Sequence, residues 1–152
     1  MNTEIDLQAM MSAIGDALVV CDAQGRVIVW NPAAERLFGH TEAEAMGQRM
    51  DMIIPERLRK RHWEGYDQSM ASGKTRYAHD VLRVPAVDKA GRALSIAFTV
   101  FMLYDADGKV SACGSVIRDE TDRFAQERVL RQRISELEGR LEAHLGAGST
   151  PS

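Results

Sequence analysis

The spacing of apolar positions changes along this chain, and the changes divide it into elements. Leu18 to Cys21 is a continuous apolar run of strand length, and Arg26 to Trp30 follows it as a second strand. Between them, Asp22-Ala23-Gln24-Gly25 reads as a hairpin turn. Asn31-Pro32 opens a short helix, with Asn31 as cap, Pro32 at the first helical position and Gly39 as the stop. Thr41-Glu42-Ala43-Glu44 is a capping box for another short helix ended by Gly47. Pro55 to Ser72 is the longest mid-chain helix, closed by Gly73. Thr75 to Val87, Arg92 to Tyr104 and Lys109 to Arg118 read as three strands, joined by Asp88-Lys89-Ala90-Gly91 and Asp105-Ala106-Asp107-Gly108. Near the start, Thr3 with Asp6 behind it predicts the cap of a short helix striped by Ile5, Leu7, Met10 and Met11.

From about Thr121 the pattern becomes helical. Leu130, Ile134, Leu137 and Leu141 recur at spacings of 4, 3 and 4 between Arg and Glu residues, a short heptad seam. Gly146 to Ser152 reads as a flexible tail. Two strands, several helices and a three-strand meander predict an α+β fold, with helices grouped on one face of an antiparallel sheet.

With 152 residues, 45% hydrophobic and 27% charged, the chain fits one domain plus a helical extension. A net charge of −3 argues against a nucleic-acid binder, and the basic run Arg57, Arg59, Lys60, Arg61 reads as a solvated helix face. Cys21 and Cys113 are too few for a disulfide framework and are expected as buried free thiols. Met1 to Met10 carries acids and no basic stretch, and Ala93 to Leu103 is too short and β-branched to span a bilayer. The expectation is a cytoplasmic protein with no membrane contact.

The run from Asp22 to Gly39, with its D-x-x-G turn, strand and N-x-A-x-x-x-x-G, closely resembles the opening of a PAS domain. Arg118-Asp119-Glu120-Thr121 resembles the D-x-T junction that hands a PAS core to its signalling helix. The resemblance covers roughly Ile14 to Thr121. It implies a five-stranded antiparallel sheet of order 2-1-5-4-3 with ligands held between the long helix and the inner sheet face. The expected organisation is an N-terminal cap helix over 1–13, a PAS sensor domain over 14–121, an amphipathic coiled-coil helix over 122–146 and a tail over 147–152.

PAS domains bind haem, flavin, small acids or nothing, so the fold leaves the ligand open. A narrower resemblance is to haem-PAS sensors of the FixL and Dos type, whose long helix carries P-x-x-x-R-x-x-H with the histidine as proximal haem ligand. Pro55, Arg59 and His62 match that segment. The resemblance implies haem b with iron on His62, Tyr66 and Gly65 one turn onward, Arg76 near a propionate, and Ile96, Phe98 and Val100 along the distal strand. Where that family places an arginine that hydrogen-bonds bound oxygen, this chain has Leu82, with Arg83 beside it. Weak oxygen binding follows, and CO, NO or redox state become equal candidates for the signal. Tyr77, His79, Met70 and Met102 have the chemistry of a sixth ligand, and each also reads as an ordinary structural residue.

For His62 the competing reading is a plain helix histidine in a cofactor-free or small-molecule-binding PAS module that acts in dimerisation and protein interaction. Gly47-Gln48-Arg49-Met50-Asp51 lacks the cysteine that flavin photochemistry needs. No nucleophile–base set, phosphate loop or metal-spaced cysteine set is visible, so an enzyme is not expected. Expected partners are a diatomic gas, a second copy through the terminal helices, and a downstream signalling protein.

Overall fold

One device makes all three hairpins. In each, an aspartate carboxylate accepts backbone N–H groups of its own turn, and a glycine takes the left-handed φ that closes it. Asp22 accepts from Gln24 and Arg26 at 2.9 and 3.0 Å, with Gly25 at φ +80°. Asp88 accepts from Arg92 at 2.8 Å, and Asp105 from Asp107 and Lys109 at 2.9 and 3.0 Å. In the computed structural model, which describes residues 4–74 and 80–148, these turns join β1 (Ala17–Asp22) to β2 (Val27–Trp30), and β3 (Leu82–Val87) to β4 (Ala93–Tyr104) to β5 (Val110–Asp119). The strands form one antiparallel sheet of order β2-β1-β5-β4-β3, as the PAS resemblance implies.

The helices precede and separate the hairpins. α1 (Leu7–Ala13) comes first, and α2 (Pro32–Phe38), α3 (Glu42–Ala45), a 3-10 turn at Met50–Ile53 and α4 (Glu56–Ser72) lie between β2 and β3. Strand alternation gives the sheet two apolar faces. Val19, Cys21, Val27, Trp30, Ile96 and Ile117 form the inner core with Ala34 and Phe38 of α2. Leu18, Val20 and Ala112 form a smaller outer cluster, against which Met11 of α1 packs.

Asn31 ties these parts together. It is 4% exposed, and its amide makes contacts in four directions. Its Oδ1 accepts from Leu18 N of β1 at 2.9 Å and from Ala34 N of α2 at 3.0 Å. Its Nδ2 donates to Met11 O at 3.0 Å and to Asp16 O at 3.1 Å. The helix cap expected from Asn31-Pro32 is therefore also the joint between α1, β1 and α2.

Three expectations shift in detail. α1 is capped by Asp6, whose Oδ1 accepts from Gln8 N and Ala9 N at 3.0 and 3.2 Å; Thr3 lies outside the described residues. β3 begins at Leu82 rather than Thr75, and residues 75–79 lie outside the described residues. The last helix, α5 (Thr121–Gly148), runs through Gly148 where a tail was expected from Gly146. The chain divides after Asp119, and α5 forms the second unit. Among the described residues, no helix is long and apolar enough to cross a membrane.

Asn31→Ala leaves two buried N–H groups and two carbonyls without their partner. At about 1 kcal/mol per hydrogen bond, the domain should lose about 3–4 kcal/mol. Urea denaturation followed by circular dichroism measures this; a loss below about 1 kcal/mol would mean water replaces the amide freely.

Candidate functional site on the long helix

α4 buries none of its own residues. It is held by two aromatic side chains, Trp63 and Tyr66, three positions apart on one face. The Trp63 Nε1–H donates to Asp51 Oδ1 at 2.5 Å, and the Arg49 guanidinium lies 3.9 Å from the ring centroid. The same ring lies on the β1–β2 turn, so close that a Cβ at Gly25 would stand 2.5 Å from Trp63 Cζ3. Gly25 is thus required twice, for its φ and for the tryptophan. The Tyr66 hydroxyl donates to the Asp22 carbonyl at 2.5 Å, and its ring packs on the inner core.

His62 sits one turn before Tyr66. Its ring is nearly parallel to that of Tyr66 at 6.2 Å and edge-on to Trp63 at 4.7 Å. Its Nδ1 is buried with no hydrogen-bond partner. Burial lowers the imidazole pKa; nearby Asp51 opposes this and Arg49 adds to it. The side chain is therefore a neutral imidazole with a free lone pair at neutral pH. A buried nitrogen left unpaired costs about 1–3 kcal/mol, which only a group reaching Nδ1 itself would offset. These properties fit a proximal haem ligand.

The register of β3 and β4 puts Leu82 opposite Phe98 and Val84 opposite Ile96, so these side chains share the inner face. Ile96 is closed into the core at 6% exposure. Leu82, Phe98 and Val100 are only half-buried, although β4 is an interior strand. Arg83 pairs with Ala97 and projects from the other face, so it cannot substitute for an inner-face arginine at Leu82. Arg76, Tyr77 and His79 lie outside the described residues. Gly65 borders open space: a Cβ there would meet nothing within 4 Å.

The remaining polar groups near Tyr66 are quiet. Cys21 and Cys113 are free thiols on register-paired positions of β1 and β5. Burial, with smaller contributions from Cys113 and Asp22, pushes the Cys21 thiol up to about 12, and burial also raises Cys113. Burial likewise raises the Tyr66 phenol, followed by the nearby thiols and Asp22. All three stay protonated and offer no nucleophile. A separate polar cleft of about 480 Å³ lies among Arg26, His40, Glu44, Gln48 and Arg49. Its charged groups already have protein partners: Arg26 donates to Gly47 O, Arg49 covers Trp63, and Glu44 pairs with Lys89.

Comparison with known proteins places the chain in a family. The PAS fold family matches residues 11–125. The chain belongs to the PAS family. This PAS domain is 32% identical over 127 residues to the oxygen sensor protein DosP of Escherichia coli, covering 84% of the chain and 15% of that protein. It is 42% identical over 59 residues to the sensor protein FixL of Bradyrhizobium diazoefficiens, covering 39% of the chain and 12% of that protein. The chain thus spans less than a fifth of either relative's length. Among solved structures, an RNA-binding light-oxygen-voltage receptor shares the fold, with a TM-score of 0.68 at 22% identity over 85% of this chain and 36% of that one.

The contacts of Trp63 were not legible beforehand. The Asp22-x-x-Gly25 signature announces the glycine's φ but not the ring that lies on it. Asp51 and Arg49 are 12 and 14 positions from Trp63, and no local period connects them.

Because burial depresses the His62 pKa, the unfolded chain binds a proton near pH 6.5 that the folded, ligand-free domain resists. Stability should therefore fall as pH drops below about 6.5 and level off once the folded state is also protonated. Denaturation of ligand-free protein across pH 7.5 to 5 should show a steeper slope in wild type than in His62→Phe. Equal slopes would mean His62 is protonated as easily folded as unfolded.

Proposed function

We propose that this PAS domain is a haem-binding sensor of a diatomic gas (O2, CO or NO) or of redox state, with His62 as the protein ligand to iron. The observation that carries the reading is the neutral His62 on α4, one nitrogen buried and unpartnered. The 32% identity to the oxygen sensor protein DosP, over 84% of this chain and 15% of that protein, supports the same reading. Bound haem, held by His62, would supply an iron able to take a gas molecule. Among the described residues, no three or more His, Cys, Asp or Glu side chains cluster to hold a bare ion. A single imidazole, here His62, would be enough for the chain to hold a haem iron.

The chain's own residues have separable tasks. His62 offers the lone pair. Trp63 and Tyr66, bonded to Asp51 and to the Asp22 carbonyl, fix the helical turn that carries it. Leu82, Phe98 and Val100 form an apolar wall that excludes water and offers no hydrogen-bond donor. Arg76, outside the described residues, is proposed as the partner of a propionate, since a guanidinium forks well to a carboxylate.

Signal output follows the strand register. Phe98 pairs with Ile117, and Ile96 with Asp119, the last residue of β5. A shift of the β4 wall is thus handed directly to the Asp119-Glu120-Thr121 junction, where α5 begins. In this reading α5 passes the change to a downstream protein and pairs with a second copy. The alternative, a cofactor-free module working through α5 alone, draws on the exposed α5 seam.

Protein expressed with adequate haem should show a Soret band, and His62→Ala should remove most of it while circular dichroism stays unchanged. A wild-type protein that stays colourless after haem titration overturns the assignment.

Leu82 gives bound oxygen no hydrogen bond, so CO should bind readily while oxygen leaves quickly or oxidises the iron. Leu82→Arg should slow oxygen loss by about tenfold or more, the worth of one charge-assisted hydrogen bond. Stopped-flow spectroscopy reads this directly, and a long-lived oxy complex in wild type would contradict it.

A further inference from the structure

Three sulfur-bearing residues lie side by side on the inner face of the sheet. The register pairs Cys21 of β1 with Cys113 of β5, and Cys113 with Met102 of β4. Strand alternation assigns all three to one face. Cys21 belongs to the inner core, and Ile117 and Phe98, four residues from Cys113 and Met102, pack in the same core. The next rows on this face carry no sulfur: they read Val19, Ser115 and Val100, then Ala17, Ile117 and Phe98. We infer that Cys21, Cys113 and Met102 form a binding site for a soft monovalent metal ion, Cu(I), separate from His62.

The spacing suits one ion. Neighbouring strands stand about 4.8 Å apart. A metal–sulfur bond is about 2.3 Å long, so one ion joins two sulfurs up to about 4.6 Å apart, close to one strand spacing. Cys21 and Cys113 can therefore hold an ion between them with little movement. Met102 stands one strand further on, and the flexible methionine side chain brings its thioether across to the same ion. Thiolate and thioether donors together select Cu(I). Harder donors beside the row are committed elsewhere. Asp22 spends its carboxylate on its own turn, and the Tyr66 hydroxyl donates to the Asp22 carbonyl. Among the described residues, no three His, Cys, Asp or Glu side chains cluster, so the third donor is the thioether. Cys21 is 1% exposed, whereas Cys113 and Met102 are half-buried, so an ion reaches the row from the Met102 side.

Burial keeps both thiols protonated in the absence of metal. They are poor nucleophiles in that state, but a bound soft ion takes the place of the proton. Binding forms bonds from one Cu(I) to the two cysteine sulfurs and the thioether, breaks two S–H bonds and releases two protons. The oxidation state of the metal does not change. The single negative charge that results costs least where the row is half-buried, at Cys113 and Met102.

Anaerobic titration of the full reduced chain, prepared without haem, with Cu(I) against the chromogenic chelator bicinchoninate measures affinity and stoichiometry. One ion per chain should bind, with a thiolate-to-copper charge-transfer band in the near ultraviolet and two protons released. Losing a supporting contact costs a metal site about 10–100-fold, so Cys113→Ala, which removes a ligand, should weaken binding by more than about 100-fold. Met102→Leu conserves volume and removes only the thioether, and should weaken binding about tenfold or more. This variant carries the test should Cys113→Ala fold poorly. Wild type that yields all its Cu(I) to the chelator, Met102→Leu with wild-type affinity, or Zn(II) bound as tightly as Cu(I) each overturns the inference. Cu(I) binding by a protein that stays colourless with haem would overturn only the haem assignment.

Discussion

The buried amide of Asn31 holds the positions from which the candidate site is built. Its hydrogen bonds reach α1, the approach to β1, β1 itself and α2. With β1 fixed at Leu18, the strand delivers the Asp22 carbonyl and the Gly25 turn at its far end. Tyr66 bonds to the first and Trp63 rests on the second. Since α4 buries nothing of its own, these two side chains locate the helix, and the helix locates His62. Each of these steps is a hydrogen bond or a ring contact.

The same economy divides the inner sheet face into two halves. On the β1–β2 side, Trp30 and Phe38 pack at 5.5 Å between ring centroids, and Trp30 Nε1 donates to the His40 carbonyl. That half is a finished core. On the β3–β4 side, the wall of Leu82, Phe98 and Val100 is half-buried, and α4 contributes no buried side chain to close it. A protein without a ligand requirement gains stability by filling such a face with larger side chains on the covering helix. This helix instead presents Arg57, Lys60 and Arg61 to solvent, and its Tyr66 packs on the core while Trp63 rests on the hairpin turn.

Much of the fold was legible because its signals are local. The D-x-x-G turns, the Asn31-Pro32 cap and the Thr41–Glu44 capping box each act over a few residues, and all appear as read. The strand order came through the PAS resemblance, since no periodicity specifies which strands neighbour one another. His62 was legible as a residue type at a spacing, but its state was not. The buried Nδ1 and the lowered pKa depend on Trp63, Asp51 and Arg49, which meet only in the folded chain.

Strand register and heptad phase are the two periodicities that a signal would have to cross. In the sheet, a one-residue slip of β4 against β5 would turn every inner side chain outward, so small motions must preserve the pairing of Ile96 with Asp119. In α5, a rotation of one residue, about 100°, would carry Ile134 off the seam and bring a charged neighbour onto it. Between Asp119 and the first residue of α5 stands only Glu120. In the proposed reading, a link this short would leave little slack to absorb a twist of β5, and displacement of the sheet would reach the first turn of α5 rather than be lost in a loop.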